Sequence, residues 1–403
     1  MYTEGEMIGF SNAAESLKKY RRAELVDDNS GKSLLDKLYV DLLPGNVVLE
    51  KCMRDNTTFL VGRKGTGKST IFLKLENEYR KRKQFLPCYV DVKTIYESSQ
   101  AQAINQPYLE EFFDEENLNK YLISRNFIRS ILKGIYEEID KQRQSIFGRV
   151  ANKVRGNGNE SIKKQISELL YKIEDNEKLK DVEIPILQQR KNKLNKESRN
   201  QEECVENSSA NMNANIKNID AGVKNEFKYG DINECKDGNE TEYTNILLQV
   251  FEIKNIIDEI KSILKKMGIT KLVVMLDDVS EIEETAIKLF IDTVVAPLNN
   301  WSEEFVKFKV AFYPSRVHYG KIDPGKIDII NLDFYNLYSE FDTNKMEENA
   351  IDFTRRLLEN RFQYYVGSMD LFFDDKMTMT DVYTMFFRTS MNVPRIMGYL
   401  LAY

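Results

Sequence analysis

The stretch Gly62-Arg63-Lys64-Gly65-Thr66-Gly67-Lys68-Ser69-Thr70 contains the spacing G-x-x-x-x-G-K-S. That spacing suits a backbone wrapped around phosphate groups. Gly62, Gly65 and Gly67 let the chain turn tightly and bring its N–H groups up to phosphate oxygens. A helix starting at the end of the loop adds the positive end of its dipole. Lys68 is expected to reach the β- and γ-phosphates and Ser69 to ligate Mg²⁺. Arg63, Lys64, Thr66 and Thr70 complete the candidate binding loop. The alternative is a glycine turn in front of an ordinary helix. The flanks favour the first reading: Phe59-Leu60-Val61 reads as a buried strand, and Ile71, Phe72 and Leu75 follow at helical spacing.

A second constellation lies far downstream. Leu272-Val273-Val274-Met275-Leu276 is a continuous apolar run ending in Asp277-Asp278-Val279. Such a run fits a parallel strand covered on both faces. A carboxylate at its tip sits where ligands bind in open α/β sheets. Asp277 is assigned to Mg²⁺, directly or through water, and Asp278 is the candidate base or water-positioning residue. Alone, an apolar run followed by two aspartates is often only a capped strand end; the upstream loop gives the pair its meaning.

Three stretches with basic candidates remain. Tyr313-Pro314-Ser315-Arg316 follows the alternating run Val306–Phe312. Ser315 or Arg316 at that tip would sense a γ-phosphate, or Arg316 is an exposed cation after a turn. Asn392-Val393-Pro394-Arg395 places proline as a first helical residue, so Arg395 would point from a helix start back toward the loop. Arg355, Arg356 and Arg361 form either a charged helix face or a source of a trans-acting arginine at an oligomer interface.

Composition excludes other chemistries. One histidine, His318, removes histidine triads and multi-histidine metal sites. Cys52, Cys88, Cys204 and Cys235 form no C-x-x-C pair, which argues against a zinc site or disulfide framework and for a reducing compartment. The net charge of −6 gives no general basic surface for nucleic acid. MYTEGEMIGFSN lacks a basic segment followed by an apolar core, and no apolar run approaches the ~20 residues of a membrane span. A cytoplasmic protein is expected.

The elements that must hold these residues follow from periodicity. Residues 1–56 read as an N-terminal helical segment. Residues 57–148 read as the first part of a nucleotide-binding core, with strands near 59–61 and 85–92 and a long helix over 117–147. At Gly148 the composition turns to Lys, Glu and Asn, and 149–243 reads as a charged insertion: a projecting helical hairpin, then a polar stretch of loop or disorder. Residues 244–342 resume the core with a helix over 244–266, the acidic strand, a helix from 281 ended near Pro297, strand 306–312 and a strand over 327–334. Residues 343–403 read as a small helical lid. The expected fold is α/β: a phosphate-loop NTPase with a parallel five-stranded sheet flanked by helices, a helical and disordered insertion, and that lid.

Four stretches, GRKGTGKST at 62–70, VVMLDDV at 273–279, YPSR at 313–316 and NVPRIMGYLL at 392–401, together resemble the STAND and origin-recognition branches of the AAA+-like phosphate-loop ATPases. YPSR is similar to the strand-end sensor of plant-resistance-type switches, which implies that Arg316 approaches a γ-phosphate. NVPR is similar to the second-sensor motif G-N-P-R, with Val393 inserted, and implies the same for Arg395. GFSNAAE with FLVGRKGTGKS also resembles a set of bacterial ATPases, some thought to act in phage defence. The resemblance covers roughly 1–100 and 244–403. It implies ATP and Mg²⁺ as cofactors and an ATP-hydrolysing switch that forms a homo-oligomer or drives a separate effector protein. No guanine-reading N-K-x-D motif is present, so base preference stays open and ATP is the default nucleotide. The alternatives are a DNA-associated initiator or loader, for which no basic module is visible, and a nucleotide-binding scaffold with little turnover.

Overall fold

The structure is a computed structural model and describes residues 2–18, 33–105, 115–144, 158–174, 253–300, 304–339, 343–373 and 376–402. Its strands are β1 (Thr57–Val61), β2 (Phe85–Asp91), β3 (Lys271–Asp277), β4 (Val306–Phe312) and β5 (Ile327–Asn331). All pairings are parallel, in the order β2-β3-β4-β1-β5. Helices α1 (Glu4–Lys18), α2 (Leu35–Leu38) and α3 (Val47–Cys52) precede β1, and α4 (Lys68–Arg80) follows it. Between β2 and β3 come α5 (Val92–Asn105), α6 (Glu115–Gln144), α7 (Gly158–Glu174) and α8 (Ile253–Lys265). Between β3 and β4 come α9 (Glu284–Phe290), a π turn (Ile291–Val295) and α10 (Ala296–Asn300). After β5 come α11 (Phe334–Ser339), α12 (Met346–Tyr365), α13 (Met379–Ser390) and α14 (Pro394–Leu401).

The two-residue period of the strands divides the core into two layers. Phe59, Val61, Val274, Leu276, Phe308 and Val310 face one side, with α5 to α9 packed on them. Leu60, Val273, Met275, Ala311 and Ile330 face the other, covered by α1, α3, α4 and the C-terminal helices. Both faces are therefore dry, and this is why the strands read as apolar runs.

Lys309 breaks the apolar pattern from within. Although VKFKVAF alternates, its lysines do not face water: Lys309 is 1% exposed. Its Nζ donates to the carbonyls of Arg54 (2.8 Å) and Asn56 (2.7 Å) and to Thr58 Oγ1 (3.0 Å). Burial pushes its pKa down to about 8. The ammonium ties the segment entering β1 to the neighbouring strand.

Several elements differ from expectation. The expected projecting hairpin begins with α7, but α7 does not stand apart: Ile162, Ile166, Leu169 and Ile173 lie in the same core as α6 and α8. The rest of the 149–243 stretch lies outside the described residues, as does 244–252 of the following helix. β5 stops at Asn331 rather than at Phe334. The carbonyl of Asp333 accepts Leu337 N–H (2.9 Å) and its carboxylate accepts Tyr335 N–H (3.4 Å), which turns the chain into α11. Pro297 does not end the helix that follows β3. The π turn has Ala296 N–H donating to Ile291 O, and the widened backbone lets proline sit in the first turn of α10. α5 was not foreseen; VKTIYESSQAQAIN carries few apolar residues.

The C-terminal helices are bound to the front of the chain. α14 packs on α1, where a Cβ at Gly398 would stand 2.8 Å from Ala14 O and 2.9 Å from Leu17 Cβ. The segment 39–42 is pinned from two sides. The Asp41 carboxylate accepts N–H groups of Leu43, Val48 and Leu49 at 2.9, 3.3 and 2.9 Å. Arg356 on α12 donates to the carbonyls of Asp41 (2.8 Å) and Leu42 (3.1 Å). Among the described residues no helix is long and apolar enough to cross a membrane.

Candidate functional site

A cavity of about 300 Å³ opens at the carboxyl ends of β1, β3 and β4. It lies at the lower end of the size range of small-molecule sites. Its floor is the loop between β1 and α4: Lys64, Gly65, Thr66, Gly67, Lys68, Ser69 and Thr70 all line it. Gly65 and Gly67 have φ of +88° and +95°, values that L side chains tolerate poorly. A Cβ on Gly62 would stand 2.7 Å from Thr66 Oγ1 and 3.0 Å from Leu332 Cβ, so glycine is required by space there. Gly62 and Arg63 do not line the cavity, and Arg63 pairs with Asp333 at 2.9 Å.

Lys68 is nearly buried at the first position of α4. Its Nζ donates to the carbonyls of Gly62 (2.6 Å) and Arg63 (3.0 Å) and lies 4.6 Å from the centre of the Tyr313 ring. Burial pushes its pKa down to about 8, against the pull of Asp277 and Asp278.

The tip of β3 meets the start of α4. Ser69 Oγ donates to Asp277 Oδ2 at 2.7 Å. The same oxygen accepts the Tyr89 hydroxyl at 3.2 Å, and Asp277 Oδ1 accepts the Asp278 N–H at 3.0 Å. Asp277 is 4% exposed. Asp278 sits in the left-handed region with φ +54°, a conformation aspartate tolerates better than most residues, and it lines the cavity.

Beyond it the chain makes a short turn, and Glu281 bridges two elements. Its Oε1 accepts Lys64 Nζ at 2.8 Å and the Tyr313 hydroxyl. The Lys64 hydrogen bond, then that of Tyr313, holds the Glu281 carboxyl below its usual range. Tyr313 N–H donates to Ser280 Oγ at 2.9 Å, which joins the tip of β4 to the same turn.

The predicted basic residues separate. Arg395, beside Pro394 at the start of α14, lines the cavity; a Cβ on Gly65 would stand 3.0 Å from Arg395 Cβ. Arg316 does not line it: its Nη1 donates to the carbonyl of Ser280 at 2.7 Å. Ser315 is exposed on the same 3-10 turn. Arg355 and Arg356 pair with Asp352 on their own helix at 2.7 Å each. Arg361 is buried and lines the cavity. His318 stands outside, 3.3 Å from Asp292 Oδ2.

Sequence reasoning missed Tyr89, Lys93, Ser280, Glu281 and Tyr313 as cavity or network residues. Tyr89 carried one usable signal, a hydroxyl-bearing side chain two residues from the end of a buried strand. Glu281 and Tyr313 carried none, because their meeting depends on β3 and β4 being neighbours.

The donor set suits a hard cation. Ser69 Oγ and Asp277 Oδ2 are adjacent oxygens, and among the described residues no three acidic, histidine or cysteine side chains gather into a protein-only metal cage. Magnesium commonly takes one or two protein oxygens and completes its shell with water and phosphate. Lys64, Lys68, Lys93 and Arg395 line the same cavity as Asp277, Asp278 and Glu281, so an anion and a cation would both find partners. No protein-family model matches the chain, and neither curated proteins nor solved structures give a significant match.

Proposed function

We propose that this chain binds a magnesium nucleoside triphosphate, ATP in our reading, and hydrolyses it as a molecular switch. The observation that carries the reading is the hydrogen bond between Ser69 and Asp277. It joins the glycine-rich loop to the acidic strand tip at one end of a parallel sheet, where ligands bind in such folds. Magnesium, when bound, would neutralise phosphate charge and hold the β- and γ-oxygens in place. Ser69 and Asp277 would hold it. The N–H groups of the loop and of the α4 start face the phosphates. Lys68 exchanges the carbonyls of Gly62 and Arg63 for phosphate oxygens. Asp278, which also lines the cavity, orients the attacking water and takes its proton.

The switch is built from the contacts around Arg395 and Arg316. Arg395 reaches the cavity from the C-terminal helices, so a γ-phosphate held there favours one placement of α14 over another, the differential contact a switch requires. Arg316 holds the Ser280 carbonyl and senses the phosphate through the turn that follows Asp278. A readout through self-assembly or a separate effector, in phage defence as the resemblance implies, completes the reading.

The test is turnover of ATP by the wild type, Lys68→Ala and Asp278→Ala, with molecular mass measured with and without ATP. Turnover abolished by Lys68→Ala, together with an ATP-bound form trapped by Asp278→Ala, supports the reading. ATP binding with no turnover and no change in mass would replace it with a scaffold role.

A further inference from the structure

The cavity has two chemically different ends. At the loop end stand backbone N–H groups, Lys68 and the aspartates. Over the rest of its lining Leu17, Val40, Leu42 and Leu357 form apolar walls. One charged group stands among them. Arg361 lies on α12 one turn beyond Leu357 and two beyond Phe353, and all three line the cavity.

Arg361 is only 5% exposed. Its Nη1 donates to the carbonyl of Leu38, and its buried Nε has no hydrogen-bond partner. Burial pushes its pKa down to about 10, so it stays charged at neutral pH. Its neighbours on α12 behave differently: Arg355 and Arg356 both pair with Asp352. A buried cation without a carboxylate partner is costly. A tie to one backbone carbonyl does not require a guanidinium. An apolar-walled cavity with a rigid fork of donors in its lining is complementary to a planar ring that carries acceptor atoms in its own plane. Purine rings meet that description, with acceptor nitrogens on their edges.

We infer that Arg361 selects the base of the nucleotide, donating to an acceptor nitrogen on the edge of a purine held between α12 and the 39–42 segment. The inference rests on the nucleotide reading above and deepens it. The walls on both sides are fixed: Asp41 and Arg356 hold 39–42, and α12 is packed through Phe353, Leu357 and Leu358. Arg361 therefore acts by position rather than by closure of a loop.

The experiment measures binding of ATP, 7-deaza-ATP, 3-deaza-ATP, 1-deaza-ATP and inorganic tripolyphosphate to the wild type and to Arg361→Met. In the wild type, one deaza analogue is expected to bind about ten- to a hundredfold more weakly than ATP, the usual effect of losing a hydrogen bond to a charged group. Arg361→Met should bind ATP as weakly as that analogue, lose nothing further with it, and bind tripolyphosphate as the wild type does. The variant also loses the tie to Leu38, so the analogue series on the wild type decides the matter even if the variant does not fold. Equal binding of ATP and all three analogues to the wild type overturns the inference while leaving tripolyphosphate binding intact. Failure of the wild type to bind either ATP or tripolyphosphate overturns the nucleotide reading and this inference with it.

Discussion

The hydroxyl of Tyr89 lies 3.2 Å from Asp277 Oδ2, the oxygen that also accepts from Ser69. Tyr89 reaches it from β2, the strand next to β3, where Tyr89 is in register with Met275. The tyrosine thus orients the carboxylate without lining the cavity. Partners of this kind hold a ligating group in one rotamer, and their loss typically weakens metal affinity about 10–100-fold. Tyr89→Phe is expected to raise the Mg²⁺ concentration for half-maximal turnover by about tenfold at unchanged ATP affinity. Stability should fall by no more than about 1.5–3 kcal/mol, the worth of a hydrogen bond to a charged group. An unchanged Mg²⁺ dependence would reduce Tyr89 to a packing residue.

Lys68 gives the site a pH dependence whose sign is fixed. Burial lowers its pKa from 10.5 to about 8, so the neutral form is favoured in the folded chain. Nucleotide affinity should be flat up to about pH 8 and fall above it, by about tenfold near pH 9, as the cation that faces the phosphates is lost. Stability runs the other way. Between about 8 and 10.5 the unfolded chain binds the proton that the folded chain has released, so the contribution of Lys68 to stability rises with pH through that window. Binding isotherms from pH 7 to 9.5 check the first statement. A flat affinity across that range would mean that Lys68 does not carry the phosphate charge.

The parts of this molecule that were legible in the sequence are those whose cause is local. The run Leu272–Leu276 is a strand because a parallel sheet covered on both faces selects continuous apolar residues, and that selection is written in consecutive positions. The glycine-rich loop is legible for the same reason. Its positive φ values are demanded at Gly65 and Gly67, within a few residues of the helix they introduce. The Glu281–Tyr313 and Tyr89–Asp277 contacts were not legible, because strand order brings them together and strand order is not a local property. Arg361 was visible only as one of several arginines. Its burial follows from α12 lying against α2 and the cavity, a packing that periodicity cannot distinguish from an exposed face. α5 was missed because Val92 and Ile95 are buried but the remainder of the helix is largely polar.

Gly65 and Gly67 both occupy the left-handed region, yet they differ in what surrounds them. A Cβ on Gly67 meets nothing within 4 Å, whereas on Gly65 it would stand 3.0 Å from Arg395 Cβ and 3.2 Å from Val393 Cγ1. Gly67→Ala is expected to carry only the backbone term, roughly 1–2 kcal/mol. Gly65→Ala carries that term and must also push the start of α14 away from the loop, which adds roughly 1 kcal/mol of overpacking. It should also weaken any dependence of nucleotide affinity on Arg395. Denaturant unfolding of the two variants checks the difference. Equal loss of stability in both would remove the contact between the loop and the C-terminal helices as a constraint.

Lys309 sits far from the cavity chemistry and tests the stability of the sheet alone. Its ammonium meets three acceptors: the Arg54 and Asn56 carbonyls and the Thr58 hydroxyl. Lys309→Met removes a buried cation, which favours the variant, and strands those acceptors, at about 1–3 kcal/mol for each one left unsatisfied. The second effect is larger, so a net loss of about 1–3 kcal/mol is expected at pH 7. The loss should depend on pH. Burial holds the Lys309 pKa at about 8, below its ordinary 10.5. Wild-type stability therefore gains from Lys309 as pH rises from about 8 to 10.5, because the unfolded chain alone still carries the proton. The variant has no such gain. Lys68 contributes equally to both proteins and cancels. The difference in unfolding free energy between wild type and variant should be constant below pH 8 and widen toward pH 10. A constant difference across that range would mean that the lysine keeps its proton and that the three acceptors fully offset its burial.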